Sequence, residues 1–255
     1  MKIRNINLVI FSAILAFLIA SPFIGKNLFV TNQSAPWQLS PFNSGDSLSA
    51  SYKEHYRVLD QNALIHRIKD TTRTIVSVMI DGWGVPYNEE MLVEDFSLFD
   101  KNKALFALHK RFHGHTLYAE TVELRTGFKD GLQIGSGDST ECAKMEANPT
   151  YEMKQAYCCL KCTDNETAAK LDSILSDTTW KRIAWTAREP NLGDRDMLHN
   201  LLRQLAEIAS HHPKVQFIIQ GAHRPILGTP EIRRKYNAHW VPAVFVNCEM
   251  KEISK

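Results

Sequence analysis

An acidic side chain directly follows an apolar run in the first third of the chain. Residues Ile75 to Ile80 are apolar apart from Ser77, and they lead into Asp81 and then Gly82. A run without a polar face is typical of a strand that is buried on both faces of a parallel sheet. Open α/β sheets bind ligands beyond the carboxyl ends of their strands, so Asp81 is predicted to lie at a functional edge. The alternative is an Asx turn or a helix cap.

A histidine occupies a similar place later in the chain. Residues 215–219 predict a buried strand, and Gly221, Ala222, His223 and Arg224 follow it. A histidine so close behind a buried strand and a glycine is poorly explained by packing alone. His223 is therefore a second candidate functional residue. Three other histidines on or just after a predicted helix are expected to be solvated: His199, His211 and His212.

Hydroxyl groups follow a further predicted strand, at residues 115–124. Thr126 comes first, and a Gly-rich stretch with Ser136, Asp138 and Ser139 comes next. Predicted as a turn, this stretch could cradle a phosphate with backbone N–H groups or supply a hydroxyl nucleophile itself. Thr126 and these serines are thus alternative candidates for one chemical role, and an ordinary polar turn is the simpler explanation of the stretch.

The elements that must position these residues alternate between strands and helices. The sequence predicts a parallel-rich α/β sheet in three α/β/α layers, with helices on both faces. Further strands are predicted at residues 182–186 and 241–246. Helices are predicted at residues 53–70, 102–112, behind a capping box at 163–166, and at 196–210.

The first 25 residues have the composition of a membrane-targeting segment. Residues 1–5 carry Lys2 and Arg4 and are predicted to be cytoplasmic, and residues 6–25 form an apolar segment. An uncleaved anchor is favoured over a signal peptide because Pro22 follows the small-residue pair Ala20 and Ser21. Residues 26–70 are predicted to be a linker and a leading helix. Residues 71–255 are predicted to form one extracytoplasmic α/β domain.

Charge and cysteine content narrow the class of protein. A formal net charge of +2 without a Lys/Arg block does not predict a nucleic-acid-binding protein. The cysteines are compatible with a disulfide in an exported domain, although the spacing of Cys159 and Cys162 leaves a zinc site as the alternative. The five cysteines are Cys142, Cys158, Cys159, Cys162 and Cys248.

Taken in order, these motifs resemble the alkaline phosphatase superfamily. The resemblance rests on the strand ending at Asp81, the hydroxyl of Thr126, and the stretch from residue 217 to His223. It also rests on Trp185 and Thr186, on the Ile232–Tyr236 stretch, and on Val241 and Pro242 of the last strand. Within the superfamily, the chain is most similar to the sulfatase-like membrane phosphotransferases, which include phosphoethanolamine transferases and lipoteichoic acid synthase.

The resemblance implies a metal-assisted transfer reaction. Asp81 and His223 would be ligands of a divalent ion, with zinc or manganese expected for such oxygen and imidazole ligands. Thr126 would be the nucleophile, and Arg188 or Arg224 would bind the anionic group of the substrate. The expected substrates are anionic lipid or glycan headgroups of the cell envelope, transferred or hydrolysed as phosphate or sulfate esters.

Two departures from the family pattern leave a second hypothesis open. The family's Gly-Asp-His reads Gly221-Ala222-His223 here, so one expected carboxylate ligand is missing. Glu189 stands where the family often carries a histidine before a proline. The alternative is therefore a catalytically degenerate member that acts as a binding or scaffold domain.

Overall fold

A computed structural model describes most of the chain beyond residue 47. It covers residues 48–59, 63–111, 126–128, 131–137, 155–160, 164–176, 180–187, 195–226 and 228–251. The strands are β1 (Arg57–Leu59), β2 (Ile75–Ile80), β3 (Ala104–Lys110), β4 (Leu132–Gly137), β5 (Gln155–Leu160), β6 (Arg182–Ala187), β7 (Gln216–Gly221) and β8 (Trp240–Val246). The helices are α1 (Ala50–His55), a 3₁₀ helix (Leu64–Arg67), α2 (Glu89–Ser97), α3 (Asp164–Ser176), α4 (Arg195–His211) and α5 (Pro230–Arg233).

The strands form one mixed sheet in the order β1-β3-β8-β7-β2-β6-β4-β5. Strand β8 is antiparallel to both of its neighbours, and all the other pairs are parallel. The predicted α/β fold with a mostly parallel sheet is therefore confirmed. Strand β2 lies between β6 and β7, and Ile80 is in register with Ala187 and with Gly221. This register brings Asp81 and the residue after Gly221 to the same carboxyl edge.

Each face of the sheet has its own apolar core. Strand β2 contributes Val76, Val78 and Ile80 to the first core, where they meet buried side chains of α2, α3 and α4. Ile75 and Met79 enter the second core on the opposite face. That core is covered by the 3₁₀ helix and by Phe128. In the part of the chain that the structure describes, the α-helices with core residues lie on the first face, so the predicted helical layer on the second face is not seen there.

Two predicted helices are wrong. Residues 53–70 contain the end of α1, strand β1 and the 3₁₀ helix instead of one leading helix. Residues 102–112 contain strand β3, which pairs with β8 over seven positions. Its apolar residues are contiguous, so periodicity alone does not separate strand from helix. In the fold they alternate: Phe106 and Leu108 face the first core, whereas Leu105 and Ala107 face the second.

The predicted strand at residues 115–124 lies outside the described residues. The other predicted elements of the domain fall close to their predicted positions. The predicted helices behind residue 163 and at 196–210 are α3 and α4, and the three later strands are β6, β7 and β8. The predicted membrane segment at residues 6–25 lies outside the described residues. Within the described part, no helix combines the length and the apolar character that crossing a bilayer requires.

Candidate functional site

The candidate site lies where strands β2 and β7 end together. The backbone N–H of Ala222 donates to the carbonyl oxygen of Ile80 at 2.9 Å, and the N–H of Asp81 donates to Ala187 O at 3.0 Å. These bonds continue the ladder beyond the strands and fix the backbone on both sides of Asp81. A Cβ atom on Gly221 would lie 1.8 Å from Trp83 O, so only glycine permits the loop after β2 to approach the end of β7.

The structure brings Asp81 and His223 together. Oδ1 of Asp81 lies 3.5 Å from Nε2 of His223, and both side chains are partly exposed to solvent. The other ring nitrogen, Nδ1, lies 2.8 Å from the carbonyl oxygen of Arg224. A carbonyl oxygen only accepts hydrogen bonds, so Nδ1 carries a proton and Nε2 is the atom that faces the carboxylate. In the neutral ring, Nε2 then presents a lone pair to the space beside Asp81.

This arrangement fits two ligands of one metal ion. Two atoms bonded at 2.0 to 2.2 Å to a tetrahedral ion lie about 3.4 Å apart, and the observed separation is 3.5 Å. Histidine ligands commonly donate their second N–H to a backbone carbonyl, which fixes the ring. The described residues contain no group of three or more His, Cys, Asp or Glu side chains suited to a metal. Asp81 and His223 alone would therefore supply only part of a coordination sphere.

Thr126 lies in the segment that covers the second face of the sheet. Its side chain is buried, and its hydroxyl oxygen accepts a hydrogen bond from the N–H of Phe128 at 3.2 Å. A Cβ atom on the intervening Gly127 would lie 2.5 Å from the side chain of Ile65, so this segment packs closely against the 3₁₀ helix. The nucleophilic role of Thr126 stays a prediction.

The alternative hydroxyls are only partly within the described residues. Ser136 lies inside strand β4, not in the predicted turn. The stretch therefore begins as a paired strand, which uses its backbone N–H groups in the sheet. Asp138, Ser139, Arg188 and Glu189 lie outside the described residues, as do Cys142 and Cys162, whereas the backbone of Cys158 and Cys159 belongs to β5. The predicted roles of all these residues stay predictions.

Arg224 is the predicted anion-binding residue that the structure describes. Its side chain is only 6% exposed, and its Nη1 donates to the carbonyl oxygen of Arg233 at 3.4 Å. Burial lowers the pKa of the Arg224 guanidinium from its ordinary value; of the neighbouring charges, that of Tyr87 raises this pKa and that of Arg233 lowers it. A Cβ atom on Gly84 would lie 2.7 Å from the Cα atom of Arg224, so the loop after Asp81 packs against it.

A buried carboxylate anchors this loop, and the sequence did not predict it. Asp95, on helix α2, is 1% exposed. Its Oδ2 accepts a hydrogen bond from the Trp83 indole N–H at 2.9 Å. Its Oδ1 lies 2.8 Å from Arg195 Nη2 and 2.8 Å from His199 Nε2. Because Trp83 is two residues after Asp81, this cluster fixes the loop that follows Asp81 on the face of the sheet that the helices cover.

Two predictions fail at this cluster. The helices predicted from the sequence leave residues 86–101 without one, but residues 89–97 form α2. Asn88 caps this helix, because its side-chain oxygen accepts a hydrogen bond from the N–H of Glu90 at 3.1 Å. His199 was predicted to be solvated, but it contacts the buried Asp95. One sequence signal could have identified Asp95. The helical spacing of Leu92, Asp95 and Phe96 places a carboxylate on the core face of a helix.

Comparison with solved structures gives distant similarities. The chain is 12% identical to the lipoteichoic acid synthase LtaP from Listeria monocytogenes, with a TM-score of 0.43, and the match covers 68% of this chain and 65% of that one. It is 9% identical to the Streptococcus pyogenes phosphoglycerol transferase GacH, with a TM-score of 0.41 and 70% of each chain covered. For the C-terminal periplasmic domain of phosphoethanolamine transferase EptC from Campylobacter jejuni, the identity is 10%, the TM-score is 0.35, and the coverage is 74% of this chain and 82% of that one.

These similarities are limited in reach. The chain spans less than two thirds of the length of the LtaP structure. No protein-family model matches the chain, and no curated protein matches it. The structures found belong to the group of proteins that the sequence resembles, but at this distance they assign no role to any residue of this chain.

Proposed function

We propose that the chain is a membrane-anchored, extracytoplasmic phosphotransferase or phospho- or sulfo-ester hydrolase of the sulfatase-like type in the alkaline phosphatase superfamily. The expected substrates are anionic lipid or glycan headgroups of the cell envelope. The proposal rests chiefly on one observation: Asp81 and His223, which follow adjacent parallel strands, face each other at 3.5 Å with Nε2 turned toward the carboxylate.

The roles of the chain's own residues follow from their chemistry. Asp81 and His223 would hold a divalent ion, zinc or manganese, which when bound lowers the pKa of a hydroxyl and offsets negative charge on phosphoryl oxygens. Thr126 is the proposed nucleophile. Arg224, and Arg188 outside the described residues, would bind the anionic group of the substrate through charge-assisted hydrogen bonds.

A specific feature favours a second candidate function, that of a degenerate binding domain. Ala222 replaces the carboxylate that the family places beside the histidine, and Ala222 is 2% exposed. A packed alanine at this position leaves a metal with one anionic ligand fewer. The domain would then keep the fold and the arginines while lacking turnover.

Hydrolysis by the purified full chain in detergent distinguishes the two functions. The enzyme hypothesis predicts that zinc or manganese supports cleavage of an aryl phosphate diester or an aryl sulfate, and that chelation abolishes it. Thr126→Ala should abolish turnover without changing metal binding. His212→Gln is a matched control, because His212 also contacts a carboxylate, at 2.8 Å from Asp172. Absence of chelator-sensitive cleavage in every condition would favour the binding domain.

Substitution of Ala222 provides a direct test of the lost ligand. Under the enzyme hypothesis, Ala222→Asp restores a carboxylate beside His223, so metal should raise the melting temperature of this variant more than that of the wild type. If the position is closed by packing, the buried unpaired Asp lowers the melting temperature and no ion restores it. The second result would count against metal chemistry at this edge.

A further inference from the structure

Arg224 makes weaker contacts than two other arginines of the domain. Arg195 pairs with the carboxylate of Asp95 at 2.8 Å. Arg73 donates to three backbone carbonyls, at 2.9, 3.2 and 3.3 Å. Arg224 is more deeply buried than either of them, yet within the described structure it makes a single long hydrogen bond, at 3.4 Å to the carbonyl oxygen of Arg233. A buried cation normally pairs with an anion, and among the described residues no anion pairs with Arg224.

A second arginine, Arg233, lies beside Arg224 and likewise makes one long hydrogen bond within the described structure. Arg233 donates from Nη1 to the carbonyl oxygen of Ile226 at 3.5 Å, and its buried Nε has no hydrogen-bond partner in the described structure. Neither guanidinium has a carboxylate within ion-pair distance among the described residues. Two like charges close to each other repel, so the arrangement is electrostatically unfavourable until an anion joins it.

The place of the pair in the fold connects it to the candidate site. Arg224 directly follows His223 and holds that ring through its carbonyl oxygen. Its backbone packs against Gly84, three residues after Asp81. Arg233 is only partly buried, and Ile226 beside it is 46% exposed, so a solute can reach the pair from solvent.

We propose that Arg224 and Arg233 together form a binding site for a tetrahedral oxyanion, the phosphate or sulfate group of a substrate or of a free ion. Guanidinium groups match such oxyanions through paired N–H donors, and the unpartnered Nε of Arg233 is one donor available for this. This deepens the proposed function by assigning Arg233 to the anion-binding part of the same site. The site needs no metal to bind the anion.

The test measures anion binding by the full chain in detergent with a chelator present. Inorganic phosphate and sulfate should bind and raise the melting temperature of the wild type. Arg233→Gln and Arg224→Gln should each weaken phosphate binding by about 10- to 100-fold, as expected for a lost hydrogen bond to a charged group. Arg234→Gln is the matched control, since Arg234 is the exposed neighbour of Arg233, and it should stay within about twofold of the wild type.

Because Arg224 is buried, the half-buried Arg233 carries the test if Arg224→Gln does not fold. Glycerol phosphate is the second ligand: a preference for it over inorganic phosphate identifies an ester headgroup, and the reverse preference identifies free phosphate. The inference is overturned if the wild type binds neither anion, or if Arg233→Gln binds phosphate as the wild type does.

Failure of this inference is distinguishable from failure of the proposed function. Anion binding that depends on Arg233, in a protein without chelator-sensitive hydrolysis, would keep the oxyanion site and reject the enzyme. Metal-dependent hydrolysis that Arg233→Gln leaves unchanged would keep the enzyme and reject the oxyanion site.

Discussion

Removing the carboxylate of Asp95 should destabilise the domain strongly. Asp95→Ala leaves the Trp83 indole N–H, the Arg195 guanidinium and the His199 ring without their common acceptor. Breaking a buried ion pair by removing one partner costs about 3 to 5 kcal/mol. The Arg195 side chain is 24% exposed and also contacts Glu94, so solvent and that contact reduce the loss. We therefore expect a decrease of about 3 kcal/mol in the free energy of unfolding, or about 6 to 12 °C in melting temperature.

Glu94 provides a matched control on the same helix. Its carboxylate also contacts Arg195, at 3.2 Å, but its side chain is 61% exposed. Exposed ion pairs contribute between 0 and about 1 kcal/mol, so Glu94→Ala should change the stability little. Urea denaturation followed by tryptophan fluorescence and by circular dichroism measures both variants.

The same substitution should affect the candidate site. Trp83 lies two residues after Asp81, so losing its anchor should displace the loop and weaken metal binding at conditions where the variant is still folded. An Asp95→Ala protein that loses less than about 1 kcal/mol, the level of the exposed Glu94 pair, would refute the structural role assigned to this cluster.

Two further predictions concern close packing and pH. Gly221→Ala should lower stability and metal affinity together, because its Cβ would lie 1.8 Å from Trp83 O; a variant with both properties unchanged would contradict the close approach. The hydrogen bond that the His55 ring donates to the Glu89 carboxylate, together with the charge of that carboxylate, raises the pKa of His55. The hydrogen bonds that Glu89 accepts from Ser51 and His55 lower the pKa of Glu89. The His55–Glu89 contact should therefore weaken as pH rises through the raised pKa of His55. In an NMR titration, Glu89→Gln should lower this pKa toward the ordinary value of a histidine, and an unchanged value would exclude the contact.

The sequence predicts the edge of the site because local patterns encode it. Ile75–Ile80 is an apolar run with a carboxylate after it, and in the structure every residue of β2 is buried and Asp81 lies at its carboxyl end. The same logic placed His223 after β7. Both predictions use only contiguous residues and the rule for the carboxyl ends of parallel strands.

The anchors of the site could not be predicted because they depend on tertiary contacts. Asp95 and Arg195 lie one hundred residues apart in sequence, and nothing local signals that they meet. That Arg224 and Arg233 have no carboxylate partner among the described residues is likewise a property of their surroundings. Strand β3 shows a related limit, since its contiguous apolar residues suit a helix or a strand until β8 pairs with it.

Metal binding at Asp81 and His223 tests the central claim most directly. Isothermal titration of zinc and of manganese into the full chain should show one ion per chain. Asp81→Asn and His223→Gln should each weaken binding by more than about 100-fold, since losing a ligand costs more than the 10- to 100-fold typical of outer contacts. His212→Gln should bind as the wild type does. Binding that survives both ligand substitutions, or no binding of either ion by the wild type, would contradict the shared site.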